Sequence, residues 1–322
     1  MKPWFPPEKV ALTEPPAMLD HNAAATRTCL FVTSLIAAVA AILLPQLVGM
    51  RVNGASFVAP FTLVPSAAVL WTWATWRRRP RVRAATELAL MPLLLSLPVL
   101  VFSYAAMHAG FPLQDARLEA WDSALGFNAL HVVGWLNRHP ALAQALACSY
   151  VSFFPQMLLL PVVLVIANRL ERAYAATFVV LLLGVIGSAV SVFFPAVGFY
   201  VHHGIRDGAF PHVAQSLGYF HVQLDAVRSD PSFVLDVAHA KGIVSFPSGH
   251  AAIAVLCAWA AWPLRRARWP FVALNAAMIV STIPQGAHYL VDVIAGVSIA
   301  ITSILIATRL PRALSAGAAR DA

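Results

Sequence analysis

The sequence predicts an all-α protein, a polytopic bundle of about eight transmembrane helices. Hydrophobic residues make up 60% of the 322 residues and charged residues only 11%, whereas soluble domains carry roughly a quarter charged residues. The apolar residues fall in runs of about 20, the length that a helix needs to cross about 30 Å of hydrocarbon. Clusters of arginine separate several of these runs, as is typical of loops beside a membrane.

Eight apolar segments are candidate membrane spans, with boundaries that are uncertain by a few residues. Almost nothing separates the last two, so the chain is expected to reverse tightly near Pro284 and Gly286. The segments are 27–49, 60–76, 85–107, 141–166, 174–195, 248–263, 270–286 and 288–308.

The arginine clusters predict the orientation of the chain. All four fall on one side of the membrane if the N-terminus is cytoplasmic, and Lys and Arg favour the cytoplasmic side. We therefore expect a multi-pass protein of the cell (inner) membrane with both termini in the cytoplasm. The net charge of +8 is then a topology signal and not a nucleic-acid-binding surface. The clusters are 77–83, 168–172, 264–268 and 309–312.

Two polar segments are expected on the outer side. Residues 109–140 mix Trp121 and Trp135 with charged residues, which predicts an interfacial helix lying on the outer leaflet. Residues 196–245 form a loop of about 50 residues that is rich in Asp, His and Gly. Connections of that length are uncommon unless they are functional.

The stretch SFPSGH, residues 245–250, predicts a helix start. Ser245 is a good N-cap, and Pro247 suits the first helical turn. Ser248, Gly249 and His250 then offer free backbone N–H groups at the positive end of the helix dipole, which favours an anion. A capped helix start with an interfacial histidine explains these residues equally well.

His288 and Asp292 form a second candidate constellation. Their i, i+4 spacing places both side chains on one face of a helix. A carboxylate within a membrane is costly and needs a partner, and bonding to one imidazole nitrogen makes the other a better nucleophile or base. A purely structural pair is the alternative. The functional interpretation gains weight because His250 and His288 begin two helices at the same predicted aqueous boundary.

The order P-S-G-H at 247–250, then H-x3-D at 288–292, resembles the type 2 phosphatidic acid phosphatase superfamily over roughly residues 140–308. Those enzymes carry K-x6-R-P, P-S-G-H and S-R-x5-H-x3-D, need no metal and share six transmembrane helices. The resemblance implies a catalytic core at 84–310, with outer loops 109–140 and 196–246. Two additional spans at 27–83 precede the core, and cytoplasmic segments 1–26 and 311–322 flank the whole.

The resemblance also implies an activity. The protein would be a lipid phosphatase or phosphotransferase that works at the outer face through a phosphohistidine, without metal or cofactor. His288 would attack phosphorus, Asp292 would orient His288, and His250 would protonate the leaving oxygen and then activate the acceptor. Ser248 and Gly249 would hold phosphoryl oxygens.

The chain departs from the family pattern in its cations. Thr282 follows Ser281 where the third motif has arginine, and no K-x6-R-P occurs between 196 and 246. A transferred phosphoryl group still needs cationic donors. Arg206 and Lys241 are the favoured candidates, although each is singly more typical of a solvated loop charge.

The same departures suggest a branch of the family. The missing first motif, FPAVGFY at 194–200 and HYLVDVIAG at 288–296 resemble the inositol phosphorylceramide synthase-like branch. Its members transfer a phosphorylated headgroup to a hydroxyl group of another lipid. The lipid phosphate that serves as substrate and the acceptor stay open, as does the oligomeric state. The expected partners are membrane lipids.

The residues leave three other mechanisms as alternatives. A transporter with a His/Asp relay predicts ionisable residues near the membrane midplane, but His250 and His288 lie at span ends. A metal enzyme could use His202, His203 and His288, but the sequence lacks clustered H-x3-H and H-x2-H-H spacings. Serine hydrolysis through Ser248 lacks a G-x-S-x-G nucleophile elbow.

Overall fold

The computed structural model describes residues 21–206, 208–213 and 220–318, so most of the predicted segment 1–26 and part of the tail 311–322 lie outside the described residues. The described chain is helical apart from one pair of two-residue strands. Its α-helices are α1 (His21–Val48), α2 (Val64–Trp76), α3 (Pro80–His108), α4 (Asp115–Ala124), α5 (Ala129–Asn137), α6 (Pro140–Val151), α7 (Phe153–Ile166), α8 (Leu170–Ser191), α9 (Phe199–His202), α10 (Phe220–Ser229), α11 (Gly249–Ala261), α12 (Arg268–Gly286) and α13 (Leu290–Ala318).

Five helical segments of the described chain are long and apolar enough to cross a membrane. They include α1, α3, α8 and α13, together with Gly54–Trp76, in which short 3-10 turns lead into α2. The bent pair of α6 and α7 makes a sixth if it is counted as one span. These segments confirm the predicted all-α polytopic bundle, because only helices satisfy their own backbone groups in lipid without closing into a barrel.

The other two predicted spans are helical but fall short of that test. Helix α11 is apolar but has only 13 residues. Helix α12 has 19 residues, and polar side chains such as Asn275 reduce its hydropathy. Asn275 is buried and donates to Gln156 of α7 at 2.8 Å, so its amide serves packing between helices inside the protein.

Helix α8 lies at the centre of the bundle and packs against α1, α3, α7, α11 and α13. Helix α2 instead packs on α3, and Ala74 is its one buried residue, so α2 lies at the periphery. Hydroxyl groups inside the helices donate to carbonyls one turn back, as Thr177 does to Ala173, which satisfies them away from water. The largest buried side chains of the central cluster are Leu30, Leu88, Leu164, Tyr174 and Phe178.

The polar segment at 109–140 differs from the prediction. The structure has two helices there, α4 and α5, in place of one interfacial helix. Helix α4 does not simply lie on a surface, because it buries Asp115, Leu118 and Asp122 against the rest of the protein. Buried carboxylates need partners inside the protein, and the partners of Asp115 and Asp122 belong to the candidate site.

The expected long loop at 196–245 carries structure of its own. It contains α9, α10 and the strand β2 (Val234–Leu235), which pairs in parallel with β1 (Arg51–Val52). Asn53 donates to Asp236 at 2.8 Å beside this pair. The loop is thereby attached to the connection between α1 and α2.

Candidate active site

Helix α11 begins later in the chain than predicted. Ser248 is the N-cap, and its hydroxyl accepts from the N–H of Ala251 at 3.4 Å. Ser245 and Pro247 precede the helix, so the prediction that Ser245 caps it is wrong. Ser245 instead donates to Oδ2 of Asp292 at 3.5 Å. This contact joins residues that are distant in the sequence, so the residues around Ser245 do not predict it.

The anion-binding groups at this helix start are fewer than expected. The N–H of Ser248 is occupied, because it donates to the carbonyl oxygen of Asp292 at 3.0 Å. Gly249 and His250 are the first two residues of α11, and N–H groups in a first helical turn have no acceptor within the helix. These two amides, together with the Ser248 hydroxyl, remain as candidate donors to an anion.

His288 and Asp292 make the predicted contact, with 3.1 Å between Nδ1 and Oδ2. They do not share a helix face, because His288 lies in the turn before α13 and Asp292 lies in the first turn of that helix. Oδ2 also accepts from the N–H of Tyr289 at 3.0 Å. Oδ1 is buried and has no hydrogen-bond partner among the residues that the structure describes. A carboxylate at this helix end is favoured by the dipole.

The start of α13 is held by α4. Asp122 accepts from the N–H groups of Leu290 and Val291 at 2.8 and 2.9 Å, so a carboxylate from another helix caps α13. Burial raises the pKa of Asp122, while these two hydrogen bonds oppose the rise. This role was not predicted from the sequence; its only sequence signal is the i, i+7 spacing of Asp115 and Asp122 on one short helix.

Asp115 fixes the neighbouring segment. It accepts from the N–H groups of Val197 and Gly198 at 3.1 and 2.9 Å, and from the hydroxyl of Tyr289 at 3.2 Å. Burial, followed by the charge of Asp115, raises the pKa of Tyr289. Gly198 has a φ of 80°, and a Cβ there would lie 2.8 Å from the carbonyl oxygen of Ala287. The FPAVGFY segment therefore packs directly beside the turn that carries His288.

Two aromatic side chains enclose His250. The ring of Tyr150 stacks on the imidazole at a centroid distance of 3.9 Å and an interplanar angle of 14°. Phe153 contacts the imidazole edge-on at 4.4 Å. Both come from the junction of α6 and α7, where the axis bends by 48°. The Nε2 atom of His250 is buried without a hydrogen-bond partner in the described chain.

A cavity of about 600 Å³ joins these groups. His250, His288, Ser248 and Gly249 line one part of it. Its remaining wall is mostly apolar and comes from α3, α7, α8 and α11, through residues such as Pro92, Leu95, Val99, Leu100, Val180, Leu183 and Ile253. A mostly apolar cleft with a few convergent polar groups is typical of a ligand site.

The two predicted cations differ in position. Lys241 lines the cavity, and its backbone is fixed by the buried Tyr104, whose hydroxyl accepts from the Lys241 N–H at 2.9 Å and donates to the Lys241 carbonyl at 3.1 Å. Arg206 is exposed and is not among the residues that line the cavity. The structure therefore places Lys241, but not Arg206, in the lining of the cavity that contains the two histidines.

Thr282, which stands where the family motif has arginine, does not line the cavity. Thr282 is fully buried, and its hydroxyl donates to the carbonyl of Ile279 at 2.7 Å. Ser281 likewise donates to Met278 at 2.7 Å. Both hydroxyls are satisfied within α12, and neither residue lines the cavity.

The histidines weighed as metal ligands are separated by their contacts. His202 and His203 approach the carboxylate of Glu119 at 3.4 and 2.8 Å, whereas His288 contacts Asp292. Within the described ranges, no group of three or more His, Cys, Asp or Glu residues is arranged to hold a metal ion.

A family model described as the PAP2 superfamily matches residues 116–306. The match covers more than half of the chain and contains Asp122, His250, His288 and Asp292, while α1, α2 and α3 lie before it. No curated protein and no solved structure matches the chain.

Proposed function

Because the chain belongs to the PAP2 superfamily, as its P-S-G-H and H-x3-D motifs predict, we propose that it is a lipid phosphatase or phosphotransferase with His288 as its nucleophile. Membership of the family supports phosphatase or phosphotransferase activity in a membrane. The observation that carries the finer proposal is the contact between His288 and Asp292, because His288 lines the same cavity as the first turn of α11.

Phosphoryl transfer proceeds in two balanced steps. Asp292 accepts a hydrogen bond from Nδ1–H of His288, which leaves the lone pair on Nε2 for attack on phosphorus. As the P–N bond forms, the bond from phosphorus to the leaving oxygen breaks, and that oxygen takes a proton from His250. In the second step an acceptor oxygen attacks phosphorus and gives its proton to His250, and the electrons of the P–N bond return to Nε2.

The transferred group carries its charge on the non-bridging oxygens, and positioned donors stabilise it. The N–H groups of Gly249 and His250, the Ser248 hydroxyl and the Lys241 ammonium are the candidates that line the cavity. Arg206 has no part in this proposal, since it does not reach the cavity lining.

A lipid phosphate is the proposed substrate. The polar groups lie at one part of a cavity whose other walls are apolar side chains of α3, α7, α8 and α11. An apolar chain stabilises binding there by about 0.8 kcal/mol for each buried CH₂ group. Water as the acceptor gives a phosphatase, and a hydroxyl of a second lipid gives the headgroup transferase of the inositol phosphorylceramide synthase-like branch.

We place this chemistry at the outer face of the cell membrane, with the termini in the cytoplasm. Support comes from the helix directions: α8 begins and α11 ends beside arginine clusters, and the cluster at 309–312 lies in the C-terminal part of α13. Those clusters therefore lie at the helix ends away from the site, on the side that Lys and Arg favour.

The proposal is tested on the full-length protein in detergent. A panel of lipid phosphates is scored for free phosphate and for transferred headgroup, with and without EDTA. His288→Ala should abolish both products. It should also abolish the covalent labelling of the wild-type protein with phosphate, a label that is stable in alkali and lost in acid. Wild-type turnover by His288→Ala on every donor that the wild-type protein uses would overturn the proposal. Activity lost with EDTA and regained only with added metal would favour a metal enzyme.

A further inference from the structure

A tyrosine hydroxyl adjoins the catalytic pair and has no role in the mechanism above. Tyr150 lies in the last turn of α6 and lines the cavity with His250 and His288. Its ring covers the imidazole of His250, as described, and its hydroxyl reaches further, towards the turn that holds His288.

Gly286 lies beside both the Tyr150 hydroxyl and the imidazole of His288, so distances from Gly286 limit their separation. A Cβ built on Gly286 would lie 3.0 Å from the Tyr150 hydroxyl and 3.0 Å from Nε2 of His288. The hydroxyl and the proposed nucleophile are therefore separated by no more than twice that distance. At such a separation, a phosphoryl group bonded to Nε2 can place a non-bridging oxygen within hydrogen-bonding range of the hydroxyl.

The Tyr150 hydroxyl is available to donate a hydrogen bond to a ligand. None of its hydrogen bonds is formed with the part of the chain that the structure describes, in contrast to the hydroxyls of Tyr104, Tyr174 and Tyr200, which each have a protein partner. A tyrosine O–H donates one hydrogen bond. Because Tyr150 lines the cavity, a bound ligand can accept that hydrogen bond.

The site also needs a donor of this kind. Thr282 replaces an arginine of the family motif, and its hydroxyl is already bonded within α12. Among the described residues that line the cavity, Lys241 is the one lysine or arginine. Positioned donors stabilise the negative charge that develops on the phosphoryl oxygens, and a tyrosine hydroxyl would add one to the Lys241 ammonium, the two backbone amides and the Ser248 hydroxyl.

We propose that Tyr150 is a further catalytic residue, whose hydroxyl donates a hydrogen bond to a non-bridging oxygen of the phosphoryl group while it moves between the lipid and His288. The ring of the same residue holds the imidazole of His250 in place. No bond to Tyr150 forms or breaks in the reaction. This inference rests on the proposed function, because it assumes that a phosphoryl group occupies the space beside Nε2 of His288.

Two substitutions separate the hydroxyl from the ring. Tyr150→Phe keeps the stacking on His250 and removes the donor, whereas Tyr150→Leu removes both. Tyr174→Phe is the matched control, since it removes a tyrosine hydroxyl that bonds to Glu87, which does not line the cavity.

Turnover, melting temperature and inhibition by inorganic phosphate are measured for each purified variant. We expect Tyr150→Phe to lower kcat by about 100-fold, as loss of one transition-state donor does. Inhibition by inorganic phosphate should weaken, while the melting temperature stays unchanged because no protein partner is lost. Tyr150→Leu should lose more activity, and Tyr174→Phe should keep its turnover per folded molecule.

Wild-type turnover and phosphate inhibition in Tyr150→Phe would overturn the inference. So would a loss of turnover that is matched by a lower melting temperature with phosphate inhibition unchanged, since that pattern indicates a structural role. If His288→Ala is inactive while Tyr150→Phe is fully active, only the role of Tyr150 fails. If His288→Ala is active, the proposed function itself fails.

Discussion

Two buried carboxylates lie towards opposite ends of the bundle, and their surroundings differ in one respect. Glu87 in α3 accepts hydrogen bonds on both oxygens, from Arg27, Trp71 and Tyr174, at distances of 2.7 to 2.9 Å. Asp292 in α13 accepts only on Oδ2, and its Oδ1 has no partner among the described residues. Both are almost or completely excluded from solvent.

We interpret the contrast as one between a structural carboxylate and the carboxylate that we propose to be functional. Glu87 joins α3 to α1, α2 and α8, because its three partners come from those three helices, and a fully bonded carboxylate fixes their arrangement. Asp292 is incompletely bonded beside a cavity, and perturbed, poorly satisfied ionisable groups in clefts are typical of active sites. Substitutions at the two carboxylates and at their partners test whether this distinction holds.

Asp292→Asn should lower turnover by about a thousand-fold or more, because a neutral amide does not hold the tautomer that leaves Nε2 of His288 free to attack. The melting temperature should stay the same or rise, since the substitution removes a buried charge with an unpaired oxygen. Activity assays and thermal unfolding of the purified variant measure both quantities. A variant that unfolds early and keeps its turnover would make Asp292 a structural residue.

Glu87→Gln should show the opposite pattern. Loss of the carboxylate weakens the bidentate contact with Arg27, and we expect the protein to lose about 2–3 kcal/mol of stability. Turnover per folded molecule should change by less than about threefold, because effects at well-separated sites are usually independent. Denaturant titration and active-fraction assays test this, and a large fall in turnover of the folded fraction would contradict it.

Asp122→Asn should lower turnover by less than Asp292→Asn and by more than Glu87→Gln. The side chain still fills its space, but its NH₂ group faces one of the two N–H groups at the start of α13. We expect turnover to fall by up to about 100-fold, since a displacement of His288 by 1 Å is enough for such a loss. A rise in KM without any change in kcat would show that α4 does not position His288.

Asp230→Asn is the control for this substitution. Asp230 is exposed and, among described side chains, bonds only to Ser232.

Trp71→Phe gives the smallest effect. It removes one of the donors to Glu87, a hydrogen bond of 2.7 Å, while most of the aromatic surface remains. We expect a loss of about 1 kcal/mol of stability and no change in turnover. Combining it with Glu87→Gln should add little, since the two residues share one interaction. Full additivity in that double-mutant cycle would show that Trp71 stabilises α2 independently of Glu87.

The sequence predicted the class of fold because the signals are local. Runs of apolar residues mark the helices wherever they lie in the bundle, and the segments at 141–166 and 270–286 were found in this way. The interruption of the first of these at Ser152 was not predicted, although Pro155 is a local signal for it, because proline lacks a backbone N–H and disfavours helix at the residue before it.

The motifs P-S-G-H and H-x3-D likewise gave His250, His288 and Asp292, because short spacings hold residue types that the chemistry requires. The sequence alone thereby determined the membrane bundle, the family and the central pair. Only the tertiary structure decided that Lys241 and not Arg206 lines the cavity, that Asp122 caps α13, and that Tyr150 lies beside both histidines. Those contacts join residues that are far apart in the chain, and their geometry arises only when the helices pack together.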